Sequence, residues 1–174
     1  MAIAEDWLFY FAFGSNLYPL RLQQRVPSCY PLGIAKLADH SLRFHKRGRD
    51  DSGKCDVYPE INAQVIGVVY RVLAHEKHLL DKAEGLGNGY NEAWATLSVD
   101  NTEYDSFFYQ ADTQHIEPEL QPYDWYQALV VEGARWHQLP KAYIDYLDAF
   151  QALDDPDPQR ADLHWQILRE PFQF

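Results

Sequence analysis

At 174 residues the chain fits one domain, and with 47 % apolar residues it can bury a core without disulfide or metal staples. A formal net charge of −11 argues against nucleic acid as a partner, because phosphate backbones are held by clustered Lys and Arg. The two cysteines, Cys29 and Cys55, make no disulfide framework, no signal-peptide pattern opens the chain, and no apolar run approaches the roughly 20 residues that span a bilayer, so a cytoplasmic protein with reduced thiols is expected.

Leu8 to Phe13 is an unbroken apolar run rich in aromatic residues, too short for a lone helix, and predicts a central buried strand. It stops at Gly14-Ser15-Asn16, where glycine permits unusual backbone angles and the two polar side chains bond locally, so an amide-rich turn able to hold an anion follows. Pro19 then suits the first turn of a helix running to Arg25. The turn is neither a Walker loop nor a GxGxxG fingerprint, which disfavours a nucleotide.

Residues 34–44 alternate loosely as strand, Gly48 to Lys54 reads as an exposed loop, and a short strand follows around Cys55 to Tyr58. The basic cluster Arg43, His45, Lys46, Arg47 and Arg49 reads as a solvated loop. Val65 to Leu73 carries the strongest strand pattern. A helix over 74–84 ends at Gly85, Gly87 and Gly89, and strands at Asn91–Val99 and Tyr104–Ala111 form an antiparallel hairpin with Phe107, Phe108 and Tyr109 toward the interior.

Helices are expected from Asp124 to Ala134, with Gly133 as a local weakness, and from Pro140 along the stripe Tyr143, Ile144, Leu147 and Phe150. Residues 154–174, with three prolines, show no firm pattern. Strands come mostly first and helices mostly late, which makes the class α+β with a mixed or largely antiparallel sheet. No metal-ligand pattern stands out, since neither cysteine has a partner at ligand spacing and His75 with His78 supplies only two ligands.

Among the acidic residues Glu84 is set apart by its place at a helix end before a glycine-rich turn and Tyr90. It is either a helix-end carboxylate in water or, if held against the sheet edge among Phe and Tyr, a carboxylate whose acidity desolvation weakens toward the range of general acid–base work.

The run Tyr10-Phe11-Ala12-Phe13-Gly14-Ser15-Asn16-Leu17 is similar to the Y-G-S-N-L signature of the γ-glutamylcyclotransferase family. Gly67-Val68-Val69-Tyr70 resembles that family's next strand, Asp81-Lys82-Ala83-Glu84-Gly85 with Tyr90 its D-x-x-E-G segment, and Pro122, Tyr126, Gly133-Ala134, Leu139-Pro140 and Tyr143 its ending. The resemblance covers roughly residues 8 to 150, with 151–174 a C-terminal extension. It departs from the usual pattern at Phe13, where a tyrosine is common, and over Gly53 to Val57.

The resemblance implies a small β-barrel-like sheet flanked by helices and a pocket at the turn after the first strand. It also implies an intramolecular reaction, in which the α-amino group of a γ-glutamyl unit attacks its own side-chain carbonyl, closes 5-oxoproline and expels an amine. Glu84 would transfer both protons. Gly14, Ser15, Asn16 and Leu17 would grip the glutamyl end, Tyr10 would open that motif, and Tyr109 would bond substrate or Glu84. Tyr126 is either a substrate contact or a core tyrosine, and Arg21 and Arg25 either meet a carboxylate or lie on a solvated helix face. The expected partner is a small γ-glutamyl compound, with no cofactor and no metal, the protein being a monomer or homodimer. A non-catalytic γ-glutamyl binder, or an enzyme removing a γ-glutamyl protecting group in a biosynthetic pathway, are the alternatives.

Overall fold

The computed structural model describes residues 6–174. Strand β1 (Trp7–Ala12) lies at the centre of a five-stranded sheet of order β2-β3-β1-β5-β4, made from β2 (Tyr30–Arg47), β3 (Gly53–Leu73), β4 (Tyr90–Val99) and β5 (Thr102–Ala111). β1 runs antiparallel to β3, with Tyr10 opposite Tyr70, and parallel to β5, with Tyr10 opposite Phe107. Two antiparallel hairpins, β2–β3 and β4–β5, therefore flank the first strand, and the sheet is mixed as expected. Tyr10, Phe11 and Ala12 are all buried, as are Phe107, Phe108 and Tyr109, so both faces of the sheet centre are covered.

The helices are α1 (Pro19–Arg25), α2 (Lys77–Glu84), α3 (Asp124–Trp136), α4 (Lys141–Asp148) and α5 (Pro158–Arg169). α2 ends where the sequence expects: Gly85 adopts a left-handed φ of 72°, and Leu86 N–H closes back on the Asp81 carbonyl at 2.9 Å.

Several expectations are corrected. The segments read as short strands are one continuous hairpin of 18 and 21 residues, kept in one sheet by register shifts at Pro31/Gly33, Ala38/His40 and Arg43/Lys46. The loop read over Gly48–Lys54 is only its turn, since Gly53 and Lys54 already pair with Arg47 and Lys46. The basic cluster is not a solvated loop. His45 and Lys46 lie on β2 and are buried, His45 Nε2 bonded to Asp56 Oδ2 at 2.7 Å and Lys46 Nζ seated over the Tyr90 ring at 4.5 Å. Asp56 Oδ1 also accepts from the Ala111 N–H at 2.7 Å, which ties the β2–β3 hairpin to the end of β5.

A further correction concerns the tail, which holds α5. Its start has a physical signature, an Asp157 side chain accepting from the N–H groups of Gln159 and Arg160 ahead of Pro158 in the first turn.

Gly133 is no weakness. α3 crosses the turn after β1 so closely that a Cβ at Gly133 would lie 2.5 Å from Leu17 C and 2.5 Å from Tyr18 N. Gly133→Ala is expected to destabilise the fold by about 2 kcal/mol or more, the overpacking outweighing the roughly 1 kcal/mol that Ala gains in helix propensity. Urea unfolding measures it, and an unchanged or raised midpoint would contradict the close approach.

Candidate active site

The turn after β1 is a single 3-10 turn, Ser15–Leu17, closed by Leu17 N–H to Gly14 O at 2.9 Å and Tyr18 N–H to Ser15 O at 3.2 Å. The amides of Ser15 and Asn16 stand at its start, outside this ladder. Gly14 has an ordinary φ of −110°, and what demands glycine there is space, because a Cβ would lie 3.0 Å from Cys55 Cβ.

From this turn the Asn16 side chain reaches across to the end of α2. Its Nδ2 donates to Tyr10 OH at 2.9 Å and to Glu84 Oε1 at 2.7 Å, and its Oδ1 accepts from Arg25 Nη1 at 2.9 Å. Arg25 Nη1 also donates to Glu84 Oε1 at 2.8 Å, so Asn16, Arg25 and Glu84 close a triangle. The Glu84 side chain is 16 % exposed, neither in bulk water nor in a purely apolar wall. Both protein contacts fall on Oε1, and Oε2 takes no partner among the described residues.

Two spaces meet at this carboxylate. An inner chamber of about 20 Å³ is lined by Tyr10, Asn16, Cys55, Tyr109 and others, and an outer cleft of about 380 Å³ by Arg21, Lys46, Lys54, Trp125, His164 and others. Ser15, Glu84, Tyr90 and Tyr126 line both and so mark the junction. Tyr126 OH accepts from the Cys55 N–H at 3.0 Å while Tyr90 OH donates to the Cys55 carbonyl at 2.6 Å, so two tyrosines clamp the backbone on both sides of one residue of β3 and line both spaces together with Glu84. Burial raises both phenols well above their ordinary value.

The structure thus brings Tyr10, Gly14, Ser15, Asn16, Tyr109 and Tyr126 to the chamber beside Glu84. Leu17 is not among them. It is fully buried beneath α3, and its carbonyl accepts from His137 Nε2 at 3.0 Å, so it anchors the turn from the core side. Tyr109 does not bond Glu84, because its hydroxyl donates to Asp81 Oδ1 at 2.6 Å, one helical turn earlier on α2. Arg25 meets a carboxylate and Arg21 does not. Arg21 is buried, with Nε donating to Ser15 Oγ at 2.9 Å and Nη1 to His164 Nδ1 at 3.1 Å.

Reading the sequence missed the outer cleft. Lys46 and Lys54 come from the hairpin read as loop, and Arg160 and His164 from the tail read as patternless. His164 stacks flat on Trp125, centroids 3.7 Å apart and planes 9° off parallel. Because Arg21 can only donate, His164 Nδ1 is the acceptor and its proton sits on Nε2. The one available signal was the Asp157-Pro158 helix start. No cluster of three or more His, Cys, Asp or Glu residues able to hold a metal occurs among the described residues.

The architecture is shared with known proteins. The AIG2-like family model matches residues 64–147. A γ-glutamylcyclotransferase of Bos taurus is 29 % identical over 152 residues, covering 83 % of this chain and 79 % of its own, and that of Homo sapiens 26 % identical over 155 residues, covering 86 % and 82 %. A solved γ-glutamyl cyclotransferase structure superposes with a TM-score of 0.82 at 23 % identity, covering 92 % of this chain and 99 % of that one. The fold is the α+β fold of the γ-glutamylcyclotransferases. In sequence and in fold the chain is similar to the γ-glutamylcyclotransferases. No helix among the described residues is long and apolar enough to cross a membrane.

Two histidines around the site set a pH dependence. Burial pushes His137 down to about 4, and burial together with the Arg21 charge pushes His164 down to about 4, against an ordinary 6.5. Both are neutral in the fold, while the unfolded chain takes up protons below about 6.5. Their contribution is therefore full above that pH and is lost as pH falls toward about 4. Thermal melting from pH 7.5 downward is expected to show this decline, with a shallower slope in His164→Gln. An identical slope in that variant would contradict the assignment.

Proposed function

We propose that this protein is a γ-glutamylcyclotransferase, which cyclises a γ-glutamyl amino acid, peptide or amine to 5-oxoproline with Glu84 as the single general base and acid. The observation that carries the reading is the largely buried Glu84 carboxylate, tied down through Oε1 by Asn16 and Arg25 and lining both the chamber and the cleft, with no partner on Oε2 among the described residues. A carboxylate so fixed is suited to proton transfer rather than to mere ligand holding, since its second oxygen has no structural duty.

The chamber is only large enough for about one water, so the glutamyl group lies at its mouth, flanked by Ser15, Tyr90 and Tyr126. Glu84 Oε2 takes a proton from the α-ammonium, and the freed amine attacks the side-chain amide carbon, forming the five-membered ring. Glu84 then returns the proton to the departing nitrogen as the C–N bond breaks, and the ring nitrogen gives up its second proton, through Glu84, to the released amine, leaving 5-oxoproline and the amine as its ammonium ion. Nucleophile and electrophile belong to one molecule, so holding the bent conformer supplies much of the acceleration. The amides of Ser15 and Asn16 are the donors available to the oxygen that gains charge or to the α-carboxylate. Gly14, Ser15, Asn16, Tyr10 and Tyr126 belong to substrate binding in this scheme, with Leu17 and Tyr109 supporting the walls. The free, buried Cys29 and Cys55 suit a reducing, cytoplasmic setting.

Purified protein offered a panel of γ-glutamyl compounds is expected to release 5-oxoproline from at least one, and Glu84→Gln to lower that rate by roughly 10³-fold or more with the circular dichroism spectrum unchanged. Turnover unaffected by Glu84→Gln removes Glu84 from the mechanism. Added chelator is expected to leave the rate unchanged.

A further inference from the structure

The outer cleft inverts the charge of the molecule around it. In a chain of net charge −11, six of its lining residues are cations, Arg21, Arg25, Lys46, Arg49, Lys54 and Arg160, and only Asp50 and Glu84 are carboxylates. Three of the cations are matched by the protein itself: Arg25 by Glu84 at 2.8 Å, Lys54 by Asp50 at 2.8 Å, and Arg160 by Asp155 at 2.5 Å. Arg21, Lys46 and Arg49 have no carboxylate at ion-pair distance among the described residues. Neither Arg21 nor Lys46 is bathed in water, since they are 7 % and 6 % exposed.

Such cations pay for their position. Burial, with repulsion from Arg25, holds the Arg21 guanidinium down to about 9, and burial lowers the Lys46 ammonium below its ordinary value despite the attraction of Glu84. A buried charge is stable beside a counter-charge and costly without one, so the cleft favours an anion. The γ-glutamyl half of a substrate adds no net charge, because its α-carboxylate and α-ammonium cancel at neutral pH. The compensating charge must therefore arrive on the half that leaves. The neutral His164, carrying its proton on Nε2, adds a further donor to the same cleft without adding charge.

We propose that the outer cleft selects a leaving group that is itself anionic, and prefers a dianionic one, an amino acid with an acidic side chain joined through its amine, over a neutral amine. The inference rests on the cyclising reaction proposed above and names the class of substrate for it. Lys46 and Arg49, at the end of β2 and in the turn that follows, hold the outer carboxylate, while Arg21, fixed by Ser15 and His164, faces the carboxylate nearer the scissile bond.

The test compares kcat/KM for 5-oxoproline release from γ-glutamylglutamate, γ-glutamylalanine and γ-glutamylethylamide, which carry two, one and no negative charges on the leaving half. The expected order is glutamate over alanine over ethylamide, each charge contributing about tenfold. The ratio of glutamate to ethylamide conjugate is expected to fall about tenfold in Lys46→Gln and in Arg49→Gln, chiefly through KM. Equal kcat/KM across the three compounds, or a ratio untouched by both variants, overturns the proposal and leaves the cyclising reaction standing. If none of the three is turned over, the reaction reading fails and calorimetric titration decides the charge argument. Tighter binding of γ-glutamylglutamate than of the ethylamide, lost in Lys46→Gln, supports it, and equal or absent binding overturns it.

Discussion

The triangle formed by Asn16, Arg25 and Glu84 is the contact on which the site depends. It joins the turn after β1, the end of α1 and the end of α2, segments 9 to 68 residues apart in the chain, through three hydrogen bonds of 2.7 to 2.9 Å. A partly exposed ion pair adds little net stability, because Coulomb attraction is offset by desolvation and by freezing two side chains. Its value lies in geometry. With Arg25 and Asn16 both on Oε1, the carboxylate has one settled orientation, and Gly85, turning left-handed immediately after, ends α2 at that residue.

The same turn is held from beneath by the core. Leu17 and Asn16 are adjacent and face opposite ways, Leu17 into the space that Gly133 leaves on α3 and Asn16 toward Glu84. The Leu17 carbonyl is further tied to His137, which also bonds Tyr70 OH at 2.7 Å. Positioning of the site and packing of the core are therefore one constraint, and a change that lifts α3 off the turn reaches Glu84 through a single residue step.

How much of this was legible in the sequence follows from how each residue's environment is encoded. β1, the glycine turn, the β4–β5 hairpin and α3 are bounded by strong punctuation and carry an apolar face, so their existence could be read. The middle of β3 could not, since residues 58–62 are exposed in succession and show no alternation. α5 buries no residue fully, which blurs its period. Phe44, His45 and Lys46 are buried consecutively because the register shift beside them breaks the pleat, and no rule of alternation places a lysine there facing inward. Glu84 stood out by its place before the glycines, but its tie to Arg25, and that of Tyr109 to Asp81, required knowing which helix end meets which turn.

The contrast between an acidic molecule and a basic cleft bears on how a charged ligand is chosen. At physiological ionic strength charges are screened beyond about 8 Å, so an approaching anion feels little of the distant acidic surface and little of the cleft until it arrives. Long-range steering is then weak, and discrimination falls on contact with poorly hydrated cations. Arg21 and Lys46 are suited to that, because aromatic faces rather than water surround them: the Arg21 Cζ lies 5.9 Å from the Trp125 ring and Lys46 Nζ 4.5 Å from that of Tyr90. A cation resting on a π face loses less on meeting an anion than one that must first shed a full hydration shell. The walls that shape the cleft thus also set the surroundings of its charges, and aromatic residues that pack the fold are the same ones that face Arg21 and Lys46.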